Sequence, residues 1–423
     1  MGAHSQNPIG LIGFSLDAKG RTWLAKKLTD LGEDWGVGTK IQKPIRVMRI
    51  IARMNVGGPA VQVSGLMRGF NATEFDHRLY TGFCAPNEAD YLETIATDIK
   101  AIRIEGFGRR VSLGGDIRAF VSLVKEIRSF KPHVIHTHTT KAGVLGRIAS
   151  IVSLQTSIRV HTFHGHLLNG YFGSIKRSIV VIAEKSLAIF TNQLLAVGDK
   201  VRQDLIQVGI GSKEKFGLMP PGLSLGVLPA KRESQESFGL LPGRLQCAFI
   251  GRVTQIKRPD RFLDVVSEIK RRGVDLDFLM VGDGEILEVC RERIRREELP
   301  VSVLGWQSNI EKVLSATNIV ILTSDNEGTP LSLIQAGMAG LPVVTTNVGS
   351  VTEVVLDGVT GLVTSMEAQE IANALEKLVL DKTLRAKLGG QAREFTLTHF
   401  GVQRLVHDHE ELYRKLLTNP TKS

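Results

Sequence analysis

NIVILTSDNEGTPLSLIQAGMAG, residues 318–340, is the stretch of sequence that decides the fold. Its first seven residues form an apolar, β-branched run typical of a buried parallel strand, and Thr329-Pro330 then opens a helix with proline near its start. Glu327 therefore stands at the carboxyl end of a strand, where open α/β sheets bind ligands. Gln335 follows about two turns into the helix and faces back to the same crevice. Because the first N–H groups of this helix are free, the stretch indicates a site for a sugar or phosphate oxygen.

The composition favours a globular protein with two domains. The 423 residues suggest two or three domains, and a 43% hydrophobic content supplies ample core. Cys84, Cys247 and Cys290 are far apart and show no CxxC spacing, so we expect neither disulfides nor a thiolate metal site, and a reducing cytoplasm fits. The apolar patch Ile9–Leu16 follows no basic region, so we expect no secretory signal.

The net charge of +10 favours an anionic partner. Charge alone does not choose between nucleic acid, an anionic membrane surface and phosphate-bearing small molecules. The longest apolar segment, Ser178–Val197, contains Glu184 and Lys185 and is broken at Thr191-Asn192-Gln193. It predicts a buried helix followed by a strand rather than a membrane span.

From about residue 45 almost to the end, apolar strands alternate with amphipathic helices, which is the pattern of an α/β protein. The predicted strands are Ile45–Ile51, His77–Thr81, His133–His136, Ile158–Thr162 and Gln193–Val197 in the first half, and Leu245–Ile250, Leu276–Val281, Val301–Leu304, Ile319–Thr323 and Pro342–Thr345 in the second. The segment Phe216–Leu223 breaks both periods with two prolines and two glycines, so we place a domain boundary near residue 220. Val402–Leu417 has helical apolar spacing and predicts a helix that returns to the first domain.

Residues 1–43 stand apart as an extension rich in glycine and turn formers. Within it, Thr22–Leu31 fits a short amphipathic helix, which would lie either at a membrane surface or against the protein body.

Two cations follow the strand that ends at Ile250. Arg252 can form a forked pair of hydrogen bonds with phosphate oxygens, and Lys257 supplies a compact charge, so together they fit a diphosphate. The alternative is a pair of solvated surface cations.

Two glycine segments also follow predicted strands. Gly57-Gly58-Pro59 follows the first strand and allows backbone N–H groups to approach an anion closely. Gly282-Asp283-Gly284 lacks the third glycine of a dinucleotide loop, so we interpret it as a tight turn.

Histidines cluster at two strand ends of the first half: His133, His136, His138, His161, His164 and His166. A metal site is one interpretation. The spacing matches no helical HExxH pattern, however, and a His-x-His strand segment supplies no acidic partner. The other interpretation is that one ring, best His164, lines an interdomain cleft and hydrogen-bonds a substrate hydroxyl.

These motifs, in this order, resemble the glycosyltransferases of family four, which are retaining enzymes of GT-B fold. The segments that carry the resemblance are Gly57-Gly58-Pro59, His161–His166, Gly251-Arg252 with Lys257, Val281–Gly284, and Glu327–Leu331 through Gly340–Val344. The resemblance covers nearly everything after residue 44. It implies two Rossmann-like doubly wound domains that face each other across a cleft, with the final helix returning to the first domain. The corresponding boundaries are 1–43 for the extension, 44–220 for an acceptor-binding domain, 221–400 for a nucleotide-sugar domain and 401–423 for the returning helix.

The resemblance also assigns roles. It makes Glu327, Arg252, Lys257 and His164 the catalytic set: Arg252 and Lys257 clamp the diphosphate, Glu327 contacts the hydroxyls of the transferred sugar, and His164 lies near that sugar. The implied donor-binding residues are Gly57, Gly58, Gly305, Trp306, Thr329, Pro330, Leu331 and Gln335. In the family a second glutamate eight positions after the first holds the ribose hydroxyls; here Gln335 stands there, and its amide can still donate and accept one hydrogen bond.

The expected reaction moves a hexose-type sugar from a nucleotide diphosphate sugar to a saccharide with retention of configuration, the departing phosphate taking the acceptor's proton. We expect no metal cofactor, because the cations and a helix N-terminus can stabilise the leaving group. Asp275 and Asp277 form an Asp-x-Asp pair, but they lie at the start of a strand and are interpreted as structural. Uridine diphosphate is the nucleotide favoured by family frequency.

The loop Gly165–Arg177 mixes apolar, aromatic and basic residues. This composition fits either a binding site for a lipid-phosphate head group or a loop whose apolar residues simply pack against the protein. His136–Arg147 resembles bacterial transferases that extend lipid-linked saccharides for surface polysaccharides. We therefore expect a lipid-linked saccharide acceptor, a cytoplasmic protein peripheral at an anionic membrane surface, and no nucleic acid partner. The alternatives are a nucleotide-sugar epimerase of similar architecture, a non-catalytic nucleotide-sugar-binding protein and a histidine metallohydrolase.

Overall fold

The computed structural model of the protein describes residues 43–86, 88–108, 111–165 and 174–418. The helix predicted over Thr22–Leu31 lies outside the described residues. None of the described helices is long and apolar enough to span a membrane.

Seven parallel strands form the first sheet, in the order β3-β2-β1-β4-β5-β6-β7. The strands are β1 (Ile45–Ile51), β2 (Phe75–Thr81), β3 (Ala101–Arg103), β4 (Val134–His138), β5 (Ile158–Phe163), β6 (Gln193–Ala196) and β7 (Phe216–Leu218). The helices between them are α1 (Gly58–Gly69), α2 (Tyr91–Thr94), α3 (Leu113–Phe130), α4 (Thr140–Val152), α5 (Ser174–Ile189) and α6 (Asp199–Gln207). The central strands are buried on both faces, as expected for a parallel sheet covered by helices.

Six parallel strands form the second sheet, in the order β10-β9-β8-β11-β12-β13. They are β8 (Gln246–Ile250), β9 (Asp277–Val281), β10 (Val301–Gly305), β11 (Ile319–Leu322), β12 (Val343–Thr346) and β13 (Gly361–Thr364). Their helices are α7 (Lys231–Ser237), α8 (Pro259–Arg271), α9 (Leu287–Arg296), α10 (Ile310–Ala316), α11 (Leu331–Met338), α12 (Ala368–Leu380) and α13 (Lys382–Phe400). The predicted fold class, two doubly wound Rossmann-like sheets, is confirmed.

The strand order reverses between β1 and β4 in the first sheet, and between β8 and β11 in the second. At such a switch point the loops that follow two neighbouring strands diverge to opposite faces and leave a crevice at the carboxyl edge. β8 and β11 are hydrogen-bonded neighbours, with Cys247 opposite Ile319 and Phe249 opposite Ile321. The residues that follow these two strands therefore face each other across one crevice.

The last helix, α14 (Val402–Thr418), returns to the first sheet as predicted. Its Leu405, Val406 and Tyr413 share a buried core with Val47 of β1 and Leu66 of α1. The chain crosses between the sheets twice, near Leu223 and near Gly401. Two backbone hydrogen bonds join these crossings: the N–H of Leu223 donates to the Phe400 carbonyl at 2.9 Å, and the N–H of Val402 donates to the Leu223 carbonyl at 3.0 Å.

Three strands were not predicted, namely β3, β7 and β13. β7 is also a correction, since Phe216-Gly217-Leu218 was interpreted as the start of the hinge and instead forms the edge of the first sheet by pairing with β6. The helix predicted within Ser178–Val197 is present as α5, followed by β6. The expectation that this helix is buried is wrong, because its Ile179 and Ile182 are more than half exposed.

An ion pair with no exposed side-chain surface joins α4 to α5. Arg147 Nη2 lies 2.5 Å from Glu184 Oε2, and both side chains are fully buried. Arg147 Nε also donates to the Gly143 carbonyl at 2.7 Å. Glu184, which interrupts the apolar segment in the sequence, therefore points inward while the apolar residues beside it face outward.

We predict that replacing only one member of this pair, as in Arg147→Met, lowers the free energy of unfolding by about 3–5 kcal/mol, because the partner charge stays buried. The double variant R147M/E184L is expected to lose less than R147M alone. Urea unfolding of the two single variants and the double variant measures this coupling. The exposed pair Arg232–Glu236 is the control, and its coupling is expected to be far smaller than that of the buried pair because solvent screens it. Additive effects of R147M and E184L would contradict the prediction.

Candidate functional site

The crevice of the second sheet holds an ion pair between two of the predicted residues. Lys257 Nζ lies 2.5 Å from Glu327 Oε1. The hydroxyl of Ser324 donates to the same carboxylate oxygen at 2.6 Å. The Glu327 side chain is only 8% exposed and that of Lys257 is 21% exposed. A lysine has three N–H donors, so the ammonium can contact a further anion while it stays on Glu327.

Backbone and ion-pair contacts fix the two loops that bring this pair together. The N–H of Asp325 donates to the Ile256 carbonyl at 2.9 Å, and the hydroxyl of Thr323 donates to the Arg258 carbonyl at 3.0 Å. Arg261, at the start of α8, donates to the Thr323 carbonyl at 2.6 Å and to Asp325 at 2.8 Å. The Lys257–Glu327 distance is thus set by the scaffold as well as by attraction between the charges.

Arg252 lies on the same loop as Lys257 and is exposed. Its side chain makes no hydrogen bond or ion pair with any residue in the described part of the chain. The loop is held from behind by the Gly282–Gly284 turn: the N–H of Val253 donates to the Asp283 carbonyl at 2.9 Å. Gly282 has a φ of +136°, and a Cβ there would lie 1.9 Å from the Gly251 carbonyl oxygen. The turn interpretation of this segment therefore fits the structure, and its role is to support the Arg252 loop.

Helix α11 begins at the crevice directly after Glu327. Pro330 precedes its first turn, and Thr329 Oγ1 donates to the carbonyl of Val197 in the first sheet's domain at 2.9 Å. The N–H groups of Leu331 and Ser332 form no hydrogen bond with another described residue, so they are available to an anion. Gln335 is half-buried on the second turn of the helix.

Residues of the first sheet's domain close over this helix. A Cβ at Gly58 would lie 3.6 Å from Leu331 Cδ1, and a Cβ at Gly328 would lie 3.0 Å from the His164 carbonyl oxygen. Gly57 has nothing nearer to such an atom than the Asn55 carbonyl oxygen at 3.9 Å. The structure thus brings Gly58 and the backbone of His164 against the loop and helix that follow Glu327.

Gly305 and Trp306 end β10, two strands away from β8. Gly305 has a φ of +66°, and its carbonyl accepts a hydrogen bond from the Gly282 N–H at 2.8 Å. The indole of Trp306 is 42% exposed. These residues lie at the same carboxyl edge as the ion pair, on the far side of the turn that supports Arg252.

Sequence reasoning missed the loop after β12. A Cβ at Gly349 would lie 1.8 Å from the Glu327 carbonyl oxygen, so only glycine fits there, and its φ of +54° also favours glycine. The carboxylate of Glu353 accepts hydrogen bonds from the N–H groups of Asp199 at 2.8 Å and Lys200 at 3.1 Å. An acid of one domain thus caps a helix of the other. The only signal in the sequence was a Gly-Ser pair after an apolar run.

The histidines at the carboxyl ends of β4 and β5 form a hydrogen-bonded group in which His136 and His138 are fully buried and His164 is half-buried. His138 Nδ1 lies 2.8 Å from His164 Nε2, and the rings of His136 and His138 stack with centroids 4.3 Å apart. Burial, and after it the charge of Arg49, lowers the pKa of His164 to about 3. Among the described residues, no three His, Cys, Asp or Glu side chains are placed to hold a metal ion. His166 lies outside the described residues.

Asp275 and Asp277 pair with Arg244. They lie at the amino end of β9, at the opposite edge of the sheet from Glu327. Most of the predicted acceptor loop, residues 166–173, lies outside the described residues.

A cavity of about 360 Å³ opens near the two crossings of the chain, lined by Val197, Pro220, Thr329, Phe400, Arg404 and their neighbours. Its described lining contains none of the four predicted catalytic residues.

Two family models match this chain, one after the other along its length. The model of Glycosyltransferase Family 4 matches residues 56–226, and that of Glycosyl transferases group 1 matches residues 230–395. The chain is a glycosyltransferase with a Glycosyltransferase Family 4 domain followed by a Glycosyl transferases group 1 domain. The resemblance stated from the sequence motifs is confirmed: the first model spans β2 to β7 of the first sheet, and the second model spans all six strands of the second sheet.

Two curated relatives of this glycosyltransferase match most of its length. One is the UDP-Gal:alpha-D-GlcNAc-diphosphoundecaprenol alpha-1,3-galactosyltransferase of Escherichia coli, 26% identical over 78% of this chain and 87% of the relative. The other is the capsular polysaccharide biosynthesis glycosyltransferase CapM of Staphylococcus aureus, 23% identical over 73% of this chain and 83% of the relative.

Solved structures support the GT-B fold of the glycosyltransferase. HepE of Anabaena, solved in complex with UDP and glucose, superposes with a TM-score of 0.75 at 19% identity, over 87% of this chain and 99% of that chain. The sucrose-phosphate synthase of Thermosynechococcus elongatus superposes with a TM-score of 0.74 at 18% identity, over 88% and 99% of the two chains.

The buried histidines predict an acid-labile glycosyltransferase. Burial lowers the pKa of His409, on α14, to about 3. The unfolded chain binds this proton below about pH 6.5, whereas the folded protein does not bind it until about pH 3. Stability from this residue is therefore complete above pH 6.5 and is lost as pH falls, by about 1.4 kcal/mol per pH unit.

Urea unfolding between pH 7.5 and 5 measures this dependence. We expect His409→Asn to flatten the pH dependence of the unfolding free energy by about that amount, whatever its effect at pH 7.5. His407→Gln, two residues earlier on the same helix at a side chain that is 67% exposed, is the matched control and should leave the slope nearly unchanged. Equal slopes in wild type and H409N would show that His409 is not buried as a neutral ring.

Proposed function

We propose that this glycosyltransferase moves a hexose-type sugar from a nucleotide diphosphate sugar to a lipid-linked saccharide, with retention of configuration at the transferred sugar. The observation that carries the proposal is the Lys257–Glu327 ion pair at the switch-point crevice. It lies beside the first turn of α11, where the N–H groups of Leu331 and Ser332 have no partner among the described residues, and near Gly58 and the backbone of His164 of the other domain. A cationic and an acidic group at one end of a helix suit a ligand that carries a diphosphate and sugar hydroxyls.

The donor diphosphate would lie between Arg252, Lys257 and the first N–H groups of α11. Arg252, which has no partner among the described residues, can make a forked contact with the diphosphate, and Lys257 shares its ammonium between Glu327 and a phosphate oxygen. HepE, a structural neighbour, was solved with UDP-glucose, and the relative from Escherichia coli is named for UDP-galactose. Uridine diphosphate is therefore the nucleotide we propose, with the base beside Gly305 and Trp306 and the ribose at Gln335.

In the proposed reaction the bond between the anomeric carbon and the diphosphate oxygen breaks, and the acceptor hydroxyl oxygen forms the new bond on the same face. The departing phosphate takes the acceptor's proton. The two cations and the helix N-terminus stabilise the negative charge that grows on the leaving group, which makes transfer independent of a metal ion. Glu327 orients the sugar hydroxyls, its carboxylate fixed by Ser324 and Lys257.

We test the reaction with Glu327→Gln, which keeps the shape of the side chain but removes its charge. We expect kcat to fall by on the order of 10²–10³-fold, because an oriented polar contact in the transition state is weakened. Release of nucleoside diphosphate and formation of labelled glycolipid are the measurements. Glu288→Gln, at a carboxylate that is 79% exposed on α9, is the control and should keep full activity.

The same assay, run over a panel of donors with chelator present, separates the competing functions. NMR of the product decides the configuration, and an inverted anomeric centre contradicts retention. A new epimer of the donor without transfer would identify an epimerase. Nucleotide binding without turnover with any acceptor would identify a binding protein, and dependence on added metal would contradict metal-independent transfer.

The acceptor proposal rests on the relatives and on one face of the first sheet's domain. The relatives from Escherichia coli and Staphylococcus aureus are named for transfer to a diphosphoundecaprenol-linked sugar and for capsular polysaccharide biosynthesis. On the face formed by α4 and α5, apolar side chains point to solvent: Val152, Leu154, Ile179, Ile182, Ile189 and Phe190. Arg177 and Lys185 are exposed beside them. An apolar face with basic neighbours on a chain of net charge +10 fits an anionic lipid surface, where the acceptor would be found.

We predict that the protein co-sediments with vesicles that contain phosphatidylglycerol and much less with pure phosphatidylcholine vesicles. The double variant I179S/I182S should bind the anionic vesicles roughly tenfold more weakly, since each isoleucine contributes apolar area to the contact. Val289→Ser is the control, because Val289 is 65% exposed on α9 of the other domain. Equal binding by wild type and I179S/I182S would place the membrane contact elsewhere or exclude it.

A further inference from the structure

A fully buried arginine, Arg49, lies at the centre of β1. Arg49 Nε donates to His77 Nε2 at 2.9 Å, Nη1 to His138 Nε2 at 2.7 Å, and Nη2 to Tyr413 Oη at 2.9 Å. No carboxylate among the described residues accepts a hydrogen bond from it. A fully buried arginine is almost always paired with an opposite charge. Arg49 is instead surrounded by neutral acceptors, which points to a role for these side chains beyond accepting its hydrogen bonds.

The acceptors belong to a closed network. Tyr413, from the returning helix, accepts from Arg49 and lies 2.6 Å from His136 Nδ1. His136 Nε2 lies 2.7 Å from the hydroxyl of Thr162. This side of the network leads to β5 and ends in the core, whereas the side through His138 leads to His164 and to the interdomain contact at Gly328.

The direction of each hydrogen bond on the His138 side follows from the arginine. A guanidinium only donates, so Nε2 of His138 must carry the lone pair, and the ring's proton is on Nδ1. That N–H points at His164 Nε2, 2.8 Å away. His164 Nε2 is then the acceptor, and the proton of the neutral His164 ring must be on Nδ1.

We propose that Arg49 and His138 are positioning residues that hold His164 as its Nδ1–H tautomer, so that the ring presents one fixed N–H donor at the cleft. The oxygen that receives this N–H rests on the proposed function: it is an oxygen of the donor sugar or its diphosphate. A free imidazole side chain in water favours the opposite tautomer, so the selection is a property of this network.

Two further observations support the assignment. The backbone of His164 lies against Gly328, next to Glu327, and the residue is only half-buried, which puts it at the edge of the ion-pair crevice. Burial, and then the positive charge of Arg49, keeps the pKa of His164 low, at about 3. The ring therefore stays neutral and donates without transferring a proton. Because hydrogen bonds in a chain polarise one another, the charge of Arg49 also strengthens the final N–H as a donor.

The direct test is the ¹⁵N spectrum of histidine side chains in the full-length protein labelled only at its 11 histidines. The signals of His164 are those that disappear in His164→Gln. We expect the wild type to carry the His164 proton on Nδ1 between pH 6 and 8. A proton on Nε2 of His164 in the wild type would overturn the proposal, and this result needs no variant of the network to fold.

Two variants at His138 then separate the donor from mere packing. His138→Asn places an amide where Nδ1 was, and the amide can still donate to His164 Nε2, so the Nδ1–H tautomer should persist. His138→Ala removes the donor and should release His164 to the Nε2–H form. If His164 keeps its tautomer in a folded H138A protein, His138 does not select it.

Steady-state kinetics of the His138 variants give a second test. We expect H138A to lower kcat by on the order of tenfold or more, with a smaller change in KM for the donor, and H138N to retain more of the activity than H138A. Equal losses in H138A and H138N, with different tautomers, would show that the tautomer has no part in turnover. If the wild type transfers no sugar from any donor, the proposed function fails, whereas the tautomer assignment is still decided by the spectra.

Discussion

The parallel pairing of β8 with β11 is the constraint on which the site depends. These strands are 72 positions apart at the register pair Cys247–Ile319, yet their carboxyl ends lie side by side because the strands pair in parallel, and a crevice opens beyond them because the strand order reverses there. The loop with Arg252 and Lys257 and the loop with Glu327 therefore start from one edge. Arg261 and Asp325 tie the loops together, so the ammonium and carboxylate are held close while neither is free to turn to bulk solvent. A ligand that enters meets charges already in place, and little reorganisation is needed.

The second domain carries most of the polar chemistry, and the first domain completes it with backbone and neutral groups. Thr329 reaches the Val197 carbonyl, Glu353 caps α6, and Gly328 lies against His164. Glycine occurs at the Gly328 contact, where a Cβ would lie 3.0 Å from the His164 carbonyl oxygen and the neighbouring backbone would have to shift. The net effect is a narrow crevice whose donors are N–H groups and cations, which matches a ligand rich in phosphate and hydroxyl oxygens.

Much of this organisation could be predicted from the sequence, because apolar β-branched runs and helical periodicity are local signals. The strand before Ser324 and the helix after Pro330 were predicted in this way, and the family motifs then named Glu327 and Lys257. Short edge strands such as Phe216–Leu218 were missed because three residues with a central glycine give no alternation. The Arg49 network was missed for a different reason: Arg49 and Tyr413 are 364 positions apart, and only the return of the last helix brings them together. The local signal was Arg49 itself, a charged residue between apolar neighbours in a predicted buried strand, which requires polar partners.

Hydrogen exchange followed by mass spectrometry, with UDP, GDP, ADP and CDP added in turn, tests the central claim most directly. If the crevice between β8 and β11 holds the donor nucleotide, at least one nucleotide will slow exchange at the amides of 252–257 and of 328–332 together. Protection of neither segment by any of the four, or protection confined to another part of the chain, would contradict the account.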